Sequence, residues 1–590
     1  MLNQFENPID LKELSVKEMN KISDEIASFL ASKSRFDIET IIKNLNVLET
    51  TVALHHVYDF QRDHLIFDGG TQVLVHKILT GRASELELRT NTPIYLDPTN
   101  PYDAYKGGDI GEGLGVALGY ALNDNGRTVI MMDDNALNYG LTYETLMQIG
   151  RLQPDLTIIL IDEQQSLLRH YSSVDSLVKS IRISKTYTGL KKDMKAILDS
   201  NAFSRPLLTT LTKIRDAVKE TVLEPTIFTQ FGINYHGPIN GQNMNELIKV
   251  FELSTKFSGP NIIHVQTRLK HRSERKLEFP AFKTDMTRPE NYTTTQEAFD
   301  ELLSAEAKVR DNLFVLADTI SIQDHFIDFA LQNTQSYLST SGSTQSLVTI
   351  AAGMVESGKQ VVLMMKSYRF LESYPQLVNQ FVLNKLPITI LISDSGLSPQ
   401  GEYYKQGIMN PNYFDNINMY TGSSIGENYQ LLQLLLNEPG INVLNYSSGY
   451  EKLVVETAPD NLLEGYFALP LNDDSNGVVI TFGNSVQQFK SRISNNELNI
   501  ALYNAIDMNH VDDVVIEALI RLNKLVVVYN TESTNNALYH NIQEYCAATH
   551  QFLNLKLIDL SNVDLNASSK DIKTRNHLHV DDALKLFTLN

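Results

Sequence analysis

The sequence is poor in the residues that build disulfides and membrane spans. It contains one cysteine, Cys546, and no tryptophan in 590 residues. One cysteine excludes a disulfide framework or a thiolate metal cluster within a single chain, which fits a reducing compartment. No apolar run approaches the about 20 residues that cross a bilayer, and the N-terminal residues lack the basic and apolar segments of a signal peptide. These absences predict a cytoplasmic protein without a membrane partner.

Positive charge is also scarce. Lysine and arginine number 50 against 70 aspartate and glutamate, which gives a net charge of −20. Such a balance disfavours nucleic acid as a partner unless a local basic patch overrides it. The one candidate, residues 268–276, is interpreted as a solvated loop in preference to a phosphate site. A hydrophobic content of 42% is typical of a globular chain with a sizeable core.

Short apolar runs alternate with amphipathic stretches along most of the chain. Residues 126–160 show the pattern clearly, with an apolar run, a helical stretch and a second apolar run. This alternation predicts α/β architecture in which parallel sheets are covered by helices. The pattern recurs in three successive units, separated by stretches at 279–291 and 457–474 where it is interrupted.

Several motifs carry a resemblance to one enzyme family. Residues 68–82 resemble the signature D-V-G-H-Q-x-Y-x-H-K-x-L-T-G-R of 1-deoxy-D-xylulose-5-phosphate synthases, and residues 44–55 and 232–241 resemble two further family segments. The middle of the chain continues the match, in the family's order, at residues 349–353, 385–388 and 406–407.

The resemblance implies three doubly wound α/β domains of transketolase type with mostly parallel sheets. The expected divisions are a diphosphate-binding-type domain at 1–285, a pyrimidine-binding-type domain at 292–456 and a C-terminal domain at 474–590. It further implies a homodimer that binds thiamine diphosphate and Mg²⁺ between the first two domains. Family members transfer a two-carbon unit from pyruvate to glyceraldehyde 3-phosphate, which yields 1-deoxy-D-xylulose 5-phosphate.

The acid that activates the cofactor is missing from its place. The family supplies a glutamate beside the aminopyrimidine, and Thr344 aligns with it. A threonine hydroxyl does not titrate near neutral pH, so it cannot exchange the proton that the chemistry requires. Either Arg369 or Phe370 falls at the position of the family's aromatic residue.

The positions that hold the diphosphate and its metal are altered as well. Asp134 and Asn135 stand in the first metal motif, and Glu163 and Gln165 stand in the second. Oxygen atoms of Asp134, Glu163 and Gln165 could still bind a hard cation. Asp133 and Glu163 add negative charge, however, which predicts weak or lost binding of the diphosphate.

The other catalytic and substrate positions change together. The family's histidines align with Thr40, Thr71, Gln242 and Lys405, and its acceptor-phosphate arginines align with Asp394 and Ser448. Since guanidinium groups are the usual clamps for phosphate, an aspartate there should repel the acceptor.

Two features that match the family pattern could have either a structural or a functional role. His76 is interpreted as a hydrogen-bonding or packing residue in preference to a catalytic one. The glycines between positions 107 and 115 are interpreted as close packing around a helix, because glycine runs alone are weak evidence of a phosphate cradle.

Three functions follow from these observations. The first is a 1-deoxy-D-xylulose-5-phosphate synthase-like protein that has lost its thiamine chemistry and serves as a dimeric binding or regulatory partner, for example of an active paralogue. The second is an active thiamine diphosphate-dependent transferase, making 1-deoxy-D-xylulose 5-phosphate or carrying out an altered ketol transfer. The third is a ligand-binding module that uses Asp134, Lys405 and residues 268–276.

Overall fold

A computed structural model describes residues 7–33, 36, 38–70, 72–86, 95–123, 126–162, 227–267, 292–318, 327–340, 343–397, 416–447, 449–452, 461–532, 536–560, 563 and 569–587. The chain divides into two compact units, 1–282 and 283–590. Each unit is described separately below.

The first unit contains a five-stranded, wholly parallel sheet in the order β1-β2-β3-β5-β4. Its central strand consists entirely of buried residues, as expected when helices cover both faces. The strands are His64–Phe67 (β1), Thr128–Asp133 (β2), Leu156–Asp162 (β3), Asn234–Asn240 (β4) and Asn261–Gln266 (β5). The helices are Val16–Lys33 (α1), Ile38–Asn46 (α2), Leu48–Val57 (α3), Leu74–Leu79 (α4), Gly113–Asn123 (α5), Gly140–Leu152 (α6), Ile227–Gln230 (α7) and Met244–Ser254 (α8).

The second unit begins with a short strand, Tyr292–Thr294 (β6), and a helix, Thr295–Glu306 (α9), whose start is fixed by a capping box between Thr294 and Glu297. A six-stranded parallel sheet follows in the order β11-β12-β10-β9-β7-β8. Its strands are Leu313–Asp318 (β7), Tyr337–Thr340 (β8), Gln360–Lys366 (β9), Ile388–Ser393 (β10), Ile417–Thr421 (β11) and Ile441–Tyr446 (β12). Its helices are Ile327–Gln332 (α10), Thr344–Glu356 (α11), Ser367–Glu372 (α12), Tyr374–Leu377 (α13) and Ile425–Leu435 (α14). Tyr450–Lys452 (β13) pairs antiparallel with β6.

A third sheet completes the second unit. It has the order β14-β16-β15-β17-β18 and is parallel except for β14. Its strands are Tyr466–Leu469 (β14), Gly477–Thr481 (β15), Ala501–Asn504 (β16), Leu525–Tyr529 (β17) and Leu555–Ile558 (β18). Its helices are Asn484–Asn495 (α15), Asp513–Leu522 (α16), Ala537–Thr549 (α17), Ser569–Arg575 (α18) and Val580–Lys585 (α19).

The middle and C-terminal sheets share hydrophobic packing. One cluster of buried side chains draws members from both, including Ile390 and Met419 of the middle sheet and Val478 of the C-terminal sheet. Backbone hydrogen bonds also join them, from Thr421 N to Ile506 O at 3.0 Å and from Met508 N to Met419 O at 2.8 Å. These two sheets are therefore packed parts of one unit.

The predicted fold class is confirmed, because three mostly parallel sheets are flanked by helices in α/β alternation. The division into three domains with boundaries at 1–285, 292–456 and 474–590 stays a prediction. Within the described ranges, no helix combines the length and apolar character that crossing a membrane requires.

Candidate functional site

The turn after β2 holds the first pair of predicted cofactor residues. Asp133 Oδ1 accepts hydrogen bonds from Asn135 N at 2.9 Å and from Asn135 Nδ2 at 2.7 Å. The Asp134 side chain is buried beside this turn, whereas Asn135 is exposed. The Asn135 amide therefore makes its hydrogen bond within the turn.

The second pair, Glu163 and Gln165, lies outside the described residues, as does the basic stretch 268–276. Strand β3 ends at Asp162, which is fully buried. His264 Nε2 lies 3.0 Å from Asp162 Oδ2, and Tyr235 Oη lies 2.6 Å from His264 Nδ1. Gln266 Nε2 donates to the same Asp162 oxygen at 3.4 Å.

These contacts form the row Tyr235–His264–Asp162. Because a carboxylate only accepts, His264 Nε2 carries the proton that is donated to Asp162. A neutral imidazole then has a bare Nδ1, which accepts from the Tyr235 hydroxyl. The row therefore supplies a hydrogen bond to a buried carboxylate. The sequence analysis did not identify His264, because no motif surrounds it. The only sequence signal was a histidine between the apolar residues of a predicted strand.

The glycine-rich segment before α5 is occupied by Asp68. Its Oδ2 accepts from Gly111 N at 2.8 Å, and its Oδ1 accepts from Gly113 N at 2.8 Å. A Cβ added to Gly113 would approach Asp68 Oδ1 to 2.8 Å, so only glycine permits this contact. Burial raises the pKa of Asp68 to about 7, although the two amides act in the opposite direction. The glycines thus pack around a side chain of the protein, and the amides of Gly111 and Gly113 are already used.

His76 belongs to a second buried polar network in the first unit. His76 Nε2 lies 3.0 Å from Asp103 Oδ1, and His55 Nε2 lies 2.9 Å from His76 Nδ1. Arg82 Nη2 donates to Asp103 Oδ1 at 2.7 Å. Burial lowers the pKa of His76, with Asp103 opposing the shift. These contacts agree with the structural reading of His76.

Two of the substituted histidine positions are described in the first unit. Thr40 lies in α2, where its carbonyl accepts from Asn44 Nδ2 at 2.9 Å. Gln242 lies in the turn after β4, and its backbone N donates to Asn240 Oδ1 at 3.1 Å. Thr71 lies outside the described residues.

Thr344 is the first residue of α11, directly after the N-cap Ser343. Its side chain is fully buried, and its hydroxyl has no hydrogen-bond partner within the described part of the chain. An orphaned hydroxyl therefore stands at the position that the family resemblance assigns to an acid.

Arg369 is the cation of a charged cluster near the start of α11. It is almost fully buried, and its Nη1 lies 2.6 Å from Glu372 Oε2. Its Nε lies 3.9 Å from Asp318 Oδ2 at the end of β7. Gln345 Nε2 donates to the other oxygen of Glu372 at 2.9 Å. Arg369, Asp318, Glu372 and Gln345 are called the Arg369 cluster below.

The predicted substrate position Asp394 follows β10, with a φ of 59°. Its Oδ2 lies 3.2 Å from Lys366 Nζ, and its backbone carbonyl accepts from Ser367 Oγ at 2.9 Å. Asp394 thus pairs with a lysine of the neighbouring strand β9. Lys405 and Ser448 lie outside the described residues.

The predicted metal ligands are only partly placed. Asp134 is described, but Glu163 and Gln165 are not. Within the described ranges, no group of three or more histidine, cysteine, aspartate or glutamate side chains is arranged to hold a metal ion.

Known proteins resemble this chain over most of its length. A family model described as 1-deoxy-D-xylulose-5-phosphate synthase matches residues 2–267. The 1-deoxy-D-xylulose-5-phosphate synthase of Clostridium tetani is 24% identical over 100% of this chain and 97% of its own length. That of Clostridium acetobutylicum is 28% identical over 71% of this chain and 70% of its own length. Among solved structures, transketolase from Campylobacter jejuni aligns with 98% of this chain and 100% of its own at 13% identity, with a TM-score of 0.40 that is too low to support any conclusion.

The order of strands in the three sheets defines an α/β protein with mostly parallel sheets. The chain is similar along its full length to 1-deoxy-D-xylulose-5-phosphate synthases, whose family model matches its first 267 residues from residue 2.

Proposed function

We propose that this protein is a 1-deoxy-D-xylulose-5-phosphate synthase homologue that has lost the family's thiamine chemistry and acts as a dimeric binding or regulatory protein. The observation that carries the proposal is Thr344, a buried hydroxyl at the position of the family's acid. A hydroxyl with a pKa far above neutrality neither donates nor accepts the required proton at physiological pH.

The family implies thiamine diphosphate and Mg²⁺, and the described residues do not fit that group. The glycine amides before α5 donate to Asp68 and not to an external anion. Asn135 is turned onto Asp133, which itself adds a negative charge beside Asp134. Arg369, a buried cation, stands beside the start of α11. We therefore derive no catalytic step through the cofactor.

A cytoplasmic homodimer that associates with an active paralogue is the form we propose for this role. The family resemblance supports the dimer, because members of the family are typically dimeric. The net charge of −20 argues against nucleic acid as the partner.

The main alternative is an active transferase that uses a different acid. The position of Glu372 favours this alternative. Its carboxylate accepts a hydrogen bond from the side chain of Gln345, which is the neighbour of Thr344 in sequence. Its other oxygen, however, lies 2.6 Å from Arg369 Nη1. This ion pair favours the proposal that the thiamine chemistry has been lost. An enzyme that relied on Glu372 would lose its activity in the Glu372→Gln variant.

The proposal is tested by calorimetric titration of the full chain with thiamine diphosphate and Mg²⁺, together with an assay on pyruvate and glyceraldehyde 3-phosphate. We expect neither saturable binding nor turnover. Turnover by the native chain would overturn the proposal. The Thr344→Glu variant should gain proton-exchange capacity only if the rest of the site is intact, and Thr349→Glu on the exposed side of the same helix is its matched control.

A further inference from the structure

Two turns of the second unit meet between the middle and C-terminal sheets. The turn after β10 contains Asp394 and Gly396, whose φ angles of 59° and 91° are both left-handed. The turn after β17 contains Thr531 and Glu532. A Cβ added to Gly396 would lie 3.2 Å from Glu532 Cα and 3.5 Å from the Thr531 carbonyl oxygen. The two turns therefore touch through their backbones, which a glycine at position 396 permits.

The side chain of Glu532 reaches from this contact to the start of α15. A Cβ added to Gly483, the N-cap of that helix, would lie 2.9 Å from Glu532 Oε2 and 3.1 Å from Glu532 Oε1. Among the described residues, no hydrogen-bond donor reaches either oxygen, although the backbone N of Glu532 donates to Asn530 Oδ1 at 3.2 Å. The half-buried carboxyl group thus lies against backbone without the donors that usually hold an enclosed carboxylate.

Few charges face this carboxyl group from the surrounding elements. Lys573 of α18 is the cation that acts on it, and the first turn of α15 contributes no charged side chain. Tyr529 of β17 keeps its proton, because burial raises its pKa to about 12. On the turn after β10, the Asp394 carboxylate is paired with Lys366. Burial raises the pKa of Glu532 to about 7, and Lys573 opposes this shift without cancelling it.

We propose that Glu532 is a pH-sensitive latch that holds the turn after β10 against the C-terminal sheet when it is protonated and loosens this contact when it ionises. A neutral carboxyl group lies against backbone at modest cost, whereas a carboxylate in the same place lacks hydrogen bonds and charge compensation. Because the turn after β10 carries Asp394, the latch couples pH to the position of that residue. The inference is independent of the loss of thiamine chemistry, and its test uses no thiamine diphosphate.

The sign of the effect follows from proton linkage. In an opened contact Glu532 has its ordinary pKa of 4.5, whereas in the closed contact burial raises the pKa to about 7. The closed contact therefore holds the proton more tightly, and it weakens as the pH rises from about 4.5 to about 7 and levels off above that value. Between pH 6 and pH 8 the equilibrium for opening should increase about tenfold.

Hydrogen exchange of the full chain, followed by mass spectrometry at pH 6 and pH 8, tests the proposal. Protection factors, which remove the intrinsic pH dependence of exchange, should fall about tenfold in peptides that contain residues 394–397 and 483–486. The Glu532→Gln variant should keep the same protection at both pH values. A local measurement is needed because Asp68 of the first unit also has a pKa of about 7.

Glu517→Gln is the matched control, because Glu517 is an exposed glutamate of the same sheet whose Oε1 accepts from Tyr545 Oη at 3.1 Å. This variant should behave as the native chain does. The proposal would be overturned if Glu532→Gln kept the pH dependence of the native chain, or if Glu517→Gln abolished it.

The native chain alone decides the question if Glu532→Gln does not fold. A fall in protection that is larger at residues 394–397 and 483–486 than in α16 supports the latch, because α16 belongs to the same sheet but does not carry the contact. An equal fall in α16, or no fall in any of these peptides, would contradict it.

Discussion

The carboxyl edge of the first sheet and that of the middle sheet neutralise buried charge in different ways. In the first sheet, Asp162 lies within hydrogen-bonding distance of His264 and Gln266, and Asp68 accepts from backbone amides. In the middle sheet, Asp318 and Glu372 meet the cation of Arg369.

This difference predicts that substitutions at the two edges change the free energy of unfolding by different amounts. A carboxylate surrounded by several neutral donors loses one hydrogen bond when a donor is removed. A buried carboxylate that is paired with a cation loses charge compensation when that cation is removed. The middle-sheet edge should therefore be the more sensitive, and the following predictions test that ranking from the largest effect to the smallest.

The largest effect is expected at Arg369. Arg369→Met should lower the free energy of unfolding by about 3–5 kcal/mol, because it removes a buried cation that pairs with Glu372 and lies 3.9 Å from buried Asp318. Adding Asp318→Asn should restore part of the loss, since a buried negative charge beside the removed cation is gone. Urea unfolding followed by circular dichroism measures both. A loss below about 1 kcal/mol would remove the basis for ranking the middle edge as more sensitive.

Asp68 should make the stability of the first unit depend on pH. Burial raises its pKa to about 7 in the folded chain, from an ordinary value of 3.8. The folded chain therefore holds the proton more tightly than the unfolded one, and the free energy of unfolding falls as the pH rises from about 4 to about 7. Asp68→Asn lacks this dependence. Relative to the native chain, the variant should gain about 2–4 kcal/mol between about pH 4 and about pH 8. A pH-independent difference would show that Asp68 ionises normally.

A smaller effect is expected in the row Tyr235–His264–Asp162. His264→Leu should cost about 1–3 kcal/mol, because Asp162 loses its closest donor but keeps Gln266. Tyr235→Phe removes the outer hydrogen bond only and should cost about 0.5–1.5 kcal/mol. Equal losses of stability in the two variants would show that the hydrogen bond from His264 to Asp162 is not the main contribution of this row.

The smallest effect, and one of opposite sign, is expected at Thr344. Thr344→Val keeps the shape of the side chain and removes a buried hydroxyl without a partner in the described residues. The free energy of unfolding should stay unchanged or rise by up to about 1 kcal/mol. Thermal unfolding of the variant and the native chain provides the measurement, and a clear destabilisation would reveal a partner for the hydroxyl.

The fold was accessible from sequence because its signals are local. The strand, helix and strand predicted within residues 126–160 are observed as β2, α6 and β3. Thr344 could be singled out because a motif fixes its place at the start of a helix. The Arg369 cluster could not be predicted, since Asp318 and Arg369 are distant in sequence and only the order of the strands brings them together. The row through His264 likewise joins side chains that are distant in sequence and that only the fold brings together.

The shared packing of the middle and C-terminal sheets has a consequence for how the chain comes apart. Met419 and Thr421 form backbone hydrogen bonds with Met508 and Ile506, and one hydrophobic cluster continues across both sheets. Neither sheet can open without exposing apolar surface of the other, so the two should melt in a single cooperative transition. If the two sheets were expressed as separate chains, each fragment would expose apolar surface and be prone to aggregate, and each would fold fully only on association with the other.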